Sequence, residues 1–140
     1  SMKELPTDIS SYDLVFAGFW VDKGTANKET REVLGTLHNP HIALFATAGV
    51  PPQMAHAKES LINAANCLPD GVEPVGTFIC QGKVDPKVIE MMYKMFPKGH
   101  SHGQSADRDA RHKQAAVHPN EDDFKAAQDF AQHILAKLDR

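Results

Sequence analysis

The chain has 140 residues, 15 Lys and Arg against 18 Asp and Glu, a formal charge of -3, and 41% hydrophobic residues. This is a single-domain length with an ordinary globular composition. The charge is too small and of the wrong sign to hold DNA, RNA or an anionic membrane. No apolar run approaches the ~20 residues that cross a bilayer, and no signal-peptide core follows Met2. The two cysteines, Cys67 and Cys80, make no disulfide framework and fit a reducing, cytoplasmic compartment. Ser1 before Met2 reads as the scar of a cleaved tag. Residues 1–11 are therefore taken as scar and lead-in, and residues 12–140 as one domain.

The first strand is expected over 13–20, a nearly continuous apolar run suited to burial on both faces. Asp22-Lys23-Gly24 reads as a turn, and Thr25 or Asn27 can cap a helix running to about Leu37. A second buried strand covers 41–47, followed by the stiff loop Ala48-Gly49-Val50-Pro51-Pro52. Met54, Ala57, Leu61, Ala64, Ala65 and Leu68 then recur at helical spacing. The third strand covers 75–80. Asp85 and Pro86 open a short helix, a weakly amphipathic helix spans 105–117, and Asn120 caps a last helix with an apolar stripe from Phe124 to Leu138. Apolar strands alternating with helices predict an α/β fold, a parallel sheet with helices on both faces. Ligands bind such sheets at the carboxyl ends of the strands. That selects 18–25, 47–51 and 80–83.

Phe19 and Trp20, the only tryptophan, can stack on a flat ligand, although a core aromatic is the commoner role. Small residues at Thr47-Ala48-Gly49-Val50 let the backbone approach a ring edge, or simply make a tight turn. Cys80 and Lys83 hint at a reactive thiolate, but no histidine is near in sequence, so buried Cys80 and solvated Lys83 are the default. His100 and His102 could chelate a metal, but no carboxylate or cysteine stands at structural-zinc spacing. The other six histidines, His118 among them, are scattered and read as surface or capping residues.

Residues 12–25 resemble the third strand and following loop of flavodoxin-like domains. Residues 41–49 resemble the fourth strand, 78–86 the fifth, and 118–123 the start of the last helix. Four segments in the right order identify the chain as similar to that family from Tyr12 to Leu138. The resemblance implies an FMN site and electron transfer to a redox partner protein, an electron carrier more than a stand-alone catalyst. It places Phe19, Trp20, Val21, Asp22, Lys23 and Gly24 along one side of the isoalloxazine, Thr47, Ala48, Gly49 and Val50 at its pyrimidine edge, and Cys80, Gln81 and Gly82 at the mouth.

Flavodoxins begin with a strand and a Ser/Thr-rich loop that cradles the flavin phosphate at a helix N-terminus. Nothing like it precedes Tyr12, so the fold is expected to be flavodoxin-like but truncated to about three strands, with weakened FMN binding. Losing those elements exposes Leu14, Val15, Phe16 and Phe19 on an unpaired edge, which predicts a homodimer through 13–20. The alternative is a flavin-free remnant that acts as a dimerisation or partner-binding module.

Overall fold

The computed structural model describes residues 1–101 and 103–139. Strands β1 (Leu14–Asp22), β2 (Thr25–Ala26), β3 (His41–Ala48) and β4 (Gly76–Gln81) form one sheet in the order β2-β1-β3-β4. The three long strands are parallel, as their unbroken apolar runs predict. The extra strand, β2, is a two-residue return that pairs Thr25 with Asp22 and Ala26 with Val21, antiparallel to β1. Lys23 and Gly24 both take positive φ, 51° and 79°, the backbone of a tight two-residue hairpin. Thr25 is thereby committed to the sheet, and Asn27 takes the N-cap position of α1 (Lys28–Leu34).

Register sorts the side chains. Val15, Ala17 and Phe19 lie beside Ile42, Leu44 and Ala46 on one face. Helices α1 and α2 (Ala55–Ala65) cover this face, and the main core joins Ala17, Phe19, Ile42, Leu44 and Ala46 to Leu34, Leu37, Ala64 and Leu68. Both helices end earlier than their apolar periodicity predicts. Their last turns tighten to i→i+3 bonds, Leu37 N–H to the Leu34 carbonyl and Leu68 N–H to the Ala65 carbonyl.

The opposite face carries Leu14, Phe16, Gly18 and Trp20 on β1, Phe45 and Thr47 on β3, and Gly76, Phe78 and Cys80 on β4. Helix α5 (Glu121–Leu138) covers its β4 side. Phe130 stacks on Phe78 at 5.7 Å and meets Phe16 edge-on at 6.3 Å between ring centroids. Gly76 permits this approach, since a Cβ there would lie 2.5 Å from Ile134 Cδ1. Toward β1 the cover runs out, and Phe45 is 42% and Trp20 57% exposed.

The expectation that Leu14, Val15, Phe16 and Phe19 share an open edge is corrected by this alternation. Phe19 is buried in the core and Val15 packs against it, while Leu14 and Phe16 turn to the α5 face. Among the described residues, the outer backbone of β1 from Leu14 to Trp20 has no strand beside it.

Beyond β4, Asp85 caps α3 (Pro86–Met95) by accepting from the Lys87 N–H at 2.9 Å, and Ser105 caps α4 (Ala106–Ala115). The two helices are joined by the Tyr93 hydroxyl, 3.0 Å from both Asp109 Oδ1 and His112 Nδ1. The phenol donates its one proton to Asp109 Oδ1, which leaves its oxygen to accept from His112 in the tautomer protonated at Nδ1. Among the described residues, no helix is long and apolar enough to cross a membrane.

Candidate functional site

The parallel long strands bring their carboxyl ends to one edge of the sheet. There, Trp20, Thr47 and Cys80 stand in one cross-strand row on the α5 face. Strands ~4.8 Å apart make this row about 10 Å long.

At the β1 exit, Trp20 presents an open indole. Phe19 and Val21 turn to the other face, with Phe19 in the core, so they offer no ring beside Trp20. Asp22, Lys23 and Gly24 form the hairpin bend. Asn63 Nδ2 donates to the Gly24 carbonyl at 2.8 Å and ties this bend to α2.

The β3 and β4 exits are knitted together. The Gly82 N–H donates to the Ala48 carbonyl at 2.8 Å, and Gln81 Nε2 donates to the Gly49 carbonyl at 3.2 Å. Both glycines are needed for this approach. A Cβ on Gly49 would lie 2.5 Å from Val84 Cγ2, and one on Gly82 would lie 3.0 Å from Thr47 Cβ. Thr47, Gly49 and Val50 are half-buried, while Ala48, Cys80, Gln81 and Gly82 are buried. The β4 exit is therefore a packed wall beside the row. Burial, and then the nearby Asp123 carboxylate, push the Cys80 thiol up, which keeps it neutral and unsuited to nucleophilic work.

Two residues that the sequence placed only at the start of the last helix, His118 and Asp123, hold this wall. The His118 carbonyl accepts from the Lys83 N–H at 3.0 Å, and His118 Nδ1 lies 2.5 Å from Asp123 Oδ2. The same Asp123 oxygen accepts from the Asn120 N–H at 2.9 Å, and Asn120 Oδ1 accepts from the Asp123 N–H at 3.1 Å. This is a capping box at the start of α5 with a histidine added. Burial alone would raise the Asp123 carboxyl. The hydrogen bonds from His118 and Asn120, with the charge of His118, outweigh it and hold the carboxyl below its ordinary range. The legible signal was Asn120 three residues before an acidic Asp123. Of the proposed chelating pair His100 and His102, the second lies outside the described residues.

A family model for a flavodoxin domain matches residues 1–132. The chain belongs to the flavodoxin-like family. It is 34% identical over 134 residues to flavodoxin-like domain-containing protein BilS of Clostridioides difficile (strain CD3), which covers 93% of this chain and 74% of that one. It is 34% identical over 124 residues to the BilS protein of Clostridium symbiosum (strain WAL-14163), covering 84% of this chain and 65% of that one. The chain thus spans about three quarters of the first relative and just under two thirds of the second. In this flavodoxin-like sheet, the row of Trp20, Thr47 and Cys80 lies at the end where open α/β sheets take their ligands.

Proposed function

We propose that the chain is an FMN-binding electron-transfer domain that serves a redox partner protein in a reducing cytoplasm, with its grip concentrated on the flavin ring. The exposed indole of Trp20, at the head of the Trp20–Thr47–Cys80 row in a flavodoxin-like sheet, carries this reading. The residues present suit the ring end of the cofactor. Trp20 would stack on the isoalloxazine, the backbone of 47–50 would meet its polar edge, and the Cys80–Gln81–Gly82 wall would keep water from one flank. A neutral Cys80 thiol adds no negative charge where electrons must arrive.

The phosphate end has no equivalent match among the described residues. Helix α1, which follows the Lys23–Gly24 hairpin, is seven residues long, and the hydroxyl of Thr30 is spent on Asn27 Oδ1 at 2.9 Å. When bound, FMN would supply one- or two-electron transfer, and the protein would orient and tune it. A charge-assisted phosphate contact contributes ~1.5–3 kcal/mol, so binding through the ring alone is weakened accordingly.

Titration with FMN, followed by flavin fluorescence, tests this. Saturable quenching is expected, with Trp20→Ala weakening the Kd about 2- to 13-fold from loss of ~0.5–1.5 kcal/mol of stacking. No saturation up to about 1 mM FMN, or equal affinity without Trp20, would refute the ring site. The open β1 backbone favours one other reading, a flavin-free module that binds a partner chain.

A further inference from the structure

The backbone leaves strand geometry at Gly49. In an extended strand, successive carbonyls point to opposite sides. At the β3 exit they do not. The Ala48 carbonyl accepts from the Gly82 N–H at 2.8 Å, and the next carbonyl, that of Gly49, accepts from Gln81 Nε2 at 3.2 Å. Both are drawn toward β4. Gln81 belongs with Thr77 and Ile79 on the α1–α2 face of β4, where Ile79 packs against the main core. The Gly49 carbonyl is therefore held toward that face.

The peptide joining Gly49 to Val50 is planar and trans, so its N–H points opposite to its carbonyl. With the Gly49 carbonyl fixed on Gln81, the Val50 N–H is aimed back toward the α5 face, which carries Thr47 and Cys80. It has no hydrogen-bond partner among the described residues. Pro51 and Pro52 follow and have no N–H to offer. Gln81 itself is 2% exposed, so close packing limits its rotamers, and its amide supplies the donor that the Gly49 carbonyl needs. A peptide beside glycine turns over at low steric cost. Turned over, this one would show the α5 face a carbonyl in place of the N–H.

We propose, resting on the flavin reading above, that Gln81 is a positioning residue: by holding the Gly49 carbonyl it aims the Val50 N–H at the ring site, so that this loop recognises an acceptor atom, a ring carbonyl or an unprotonated ring nitrogen. Gln81 touches no ligand itself and acts through the Gly49–Val50 peptide. Every bond in the arrangement joins the β3 and β4 exits.

FMN is the probe, followed by flavin fluorescence and by proton–nitrogen NMR spectra of the protein. In the wild type, bound FMN is expected to move the Val50 amide proton downfield and to slow its exchange with solvent. Gln81→Leu removes the donor at similar volume. It is expected to bind FMN about 2- to 13-fold more weakly, the loss of one neutral hydrogen bond, and to lose the Val50 shift. Gln81→Glu separates positioning from packing. Its carboxyl donates to the Gly49 carbonyl when protonated, and when ionised it draws the Val50 N–H to itself. Burial raises such a carboxyl, so between about pH 8 and about pH 5 this variant should recover toward wild-type affinity while the Gln81→Leu deficit stays constant. Affinities are compared with the wild type at each pH, so that ionisation of the FMN phosphate cancels. Urea unfolding checks that each variant is folded, and the wild-type Val50 signal decides if one is not. A wild type that binds FMN without moving the Val50 amide overturns the inference and leaves the flavin reading standing. Folded variants that match the wild type, or that share one pH profile, do the same. A wild type that never saturates up to about 1 mM FMN overturns both.

Discussion

Replacing Asp123 with alanine is expected to destabilise the protein by about 2 kcal/mol and to loosen the β4 exit. The carboxylate accepts from His118 Nδ1 and from the Asn120 N–H, and its side chain is 18% exposed. A capping residue contributes ~1 kcal/mol, and a hydrogen bond to a charged group ~1.5–3 kcal/mol. The two share one oxygen and are partly hydrated, so they do not add in full, which brings the total to about 2 kcal/mol. For a domain of this size that is roughly 6–10 °C in Tm.

The pH dependence has a definite sign. The folded carboxyl is held below its ordinary value of 3.8, so its contribution is complete above that pH and vanishes as pH falls through the lower folded value. Chemical denaturation of wild type and Asp123→Ala between pH 7 and about pH 3 should show a gap that persists down to about pH 4 and closes below it. Exchange of the Lys83 amide, bonded to the His118 carbonyl, should accelerate in the variant at pH 7. A gap under ~0.5 kcal/mol at pH 7, or one that fails to close below about pH 4, would refute the capping account.

Lys23 holds a positive φ without being glycine or asparagine. Lys23→Asn should raise stability by ~0.5–1 kcal/mol, and Lys23→Val should lower it by more than ~1 kcal/mol, because β-branching fits the left-handed region poorly. Urea unfolding checks both, and equal stability in all three proteins would remove the strain. Cys80 is buried with its thiol pushed up. Its alkylation by iodoacetamide at about pH 8 should be at least ~10-fold slower in the native than in the urea-unfolded protein, with peptide mapping to separate it from Cys67. Similar rates would mean the wall at the β4 exit opens readily.

Much of the architecture was legible because it rests on local chemistry. The nearly continuous apolar runs at 13–20, 41–47 and 75–80 suit burial on both faces, which leads to a parallel sheet between helices. Asp85, Ser105 and Asn120 have the short polar side chains that complete helix starts, and each lies within or beside the expected boundary. Parallel strands must share a carboxyl end, so the three exit loops could be grouped before any coordinates were known. The alternation that sends Phe19 into the core and Trp20 to the open face follows from strand period. Which of the two faces receives cover does not, because that depends on where helices more than a hundred residues later come to rest.

Composition, periodicity and capping residues were thus enough to determine the order of elements, the parallel sheet and the common end that its three exit loops share. Tertiary structure alone decided that Thr25 joins the sheet, that His118 and Asp123 brace the β4 exit, and that α5 covers the β4 side of its face and meets β1 through Phe130 on Phe16, leaving Trp20 open. The division has one physical cause. Periodicity and caps are properties of residues a few positions apart, whereas cover, bracing and open edges depend on contacts between segments whose separation along the chain leaves no local pattern.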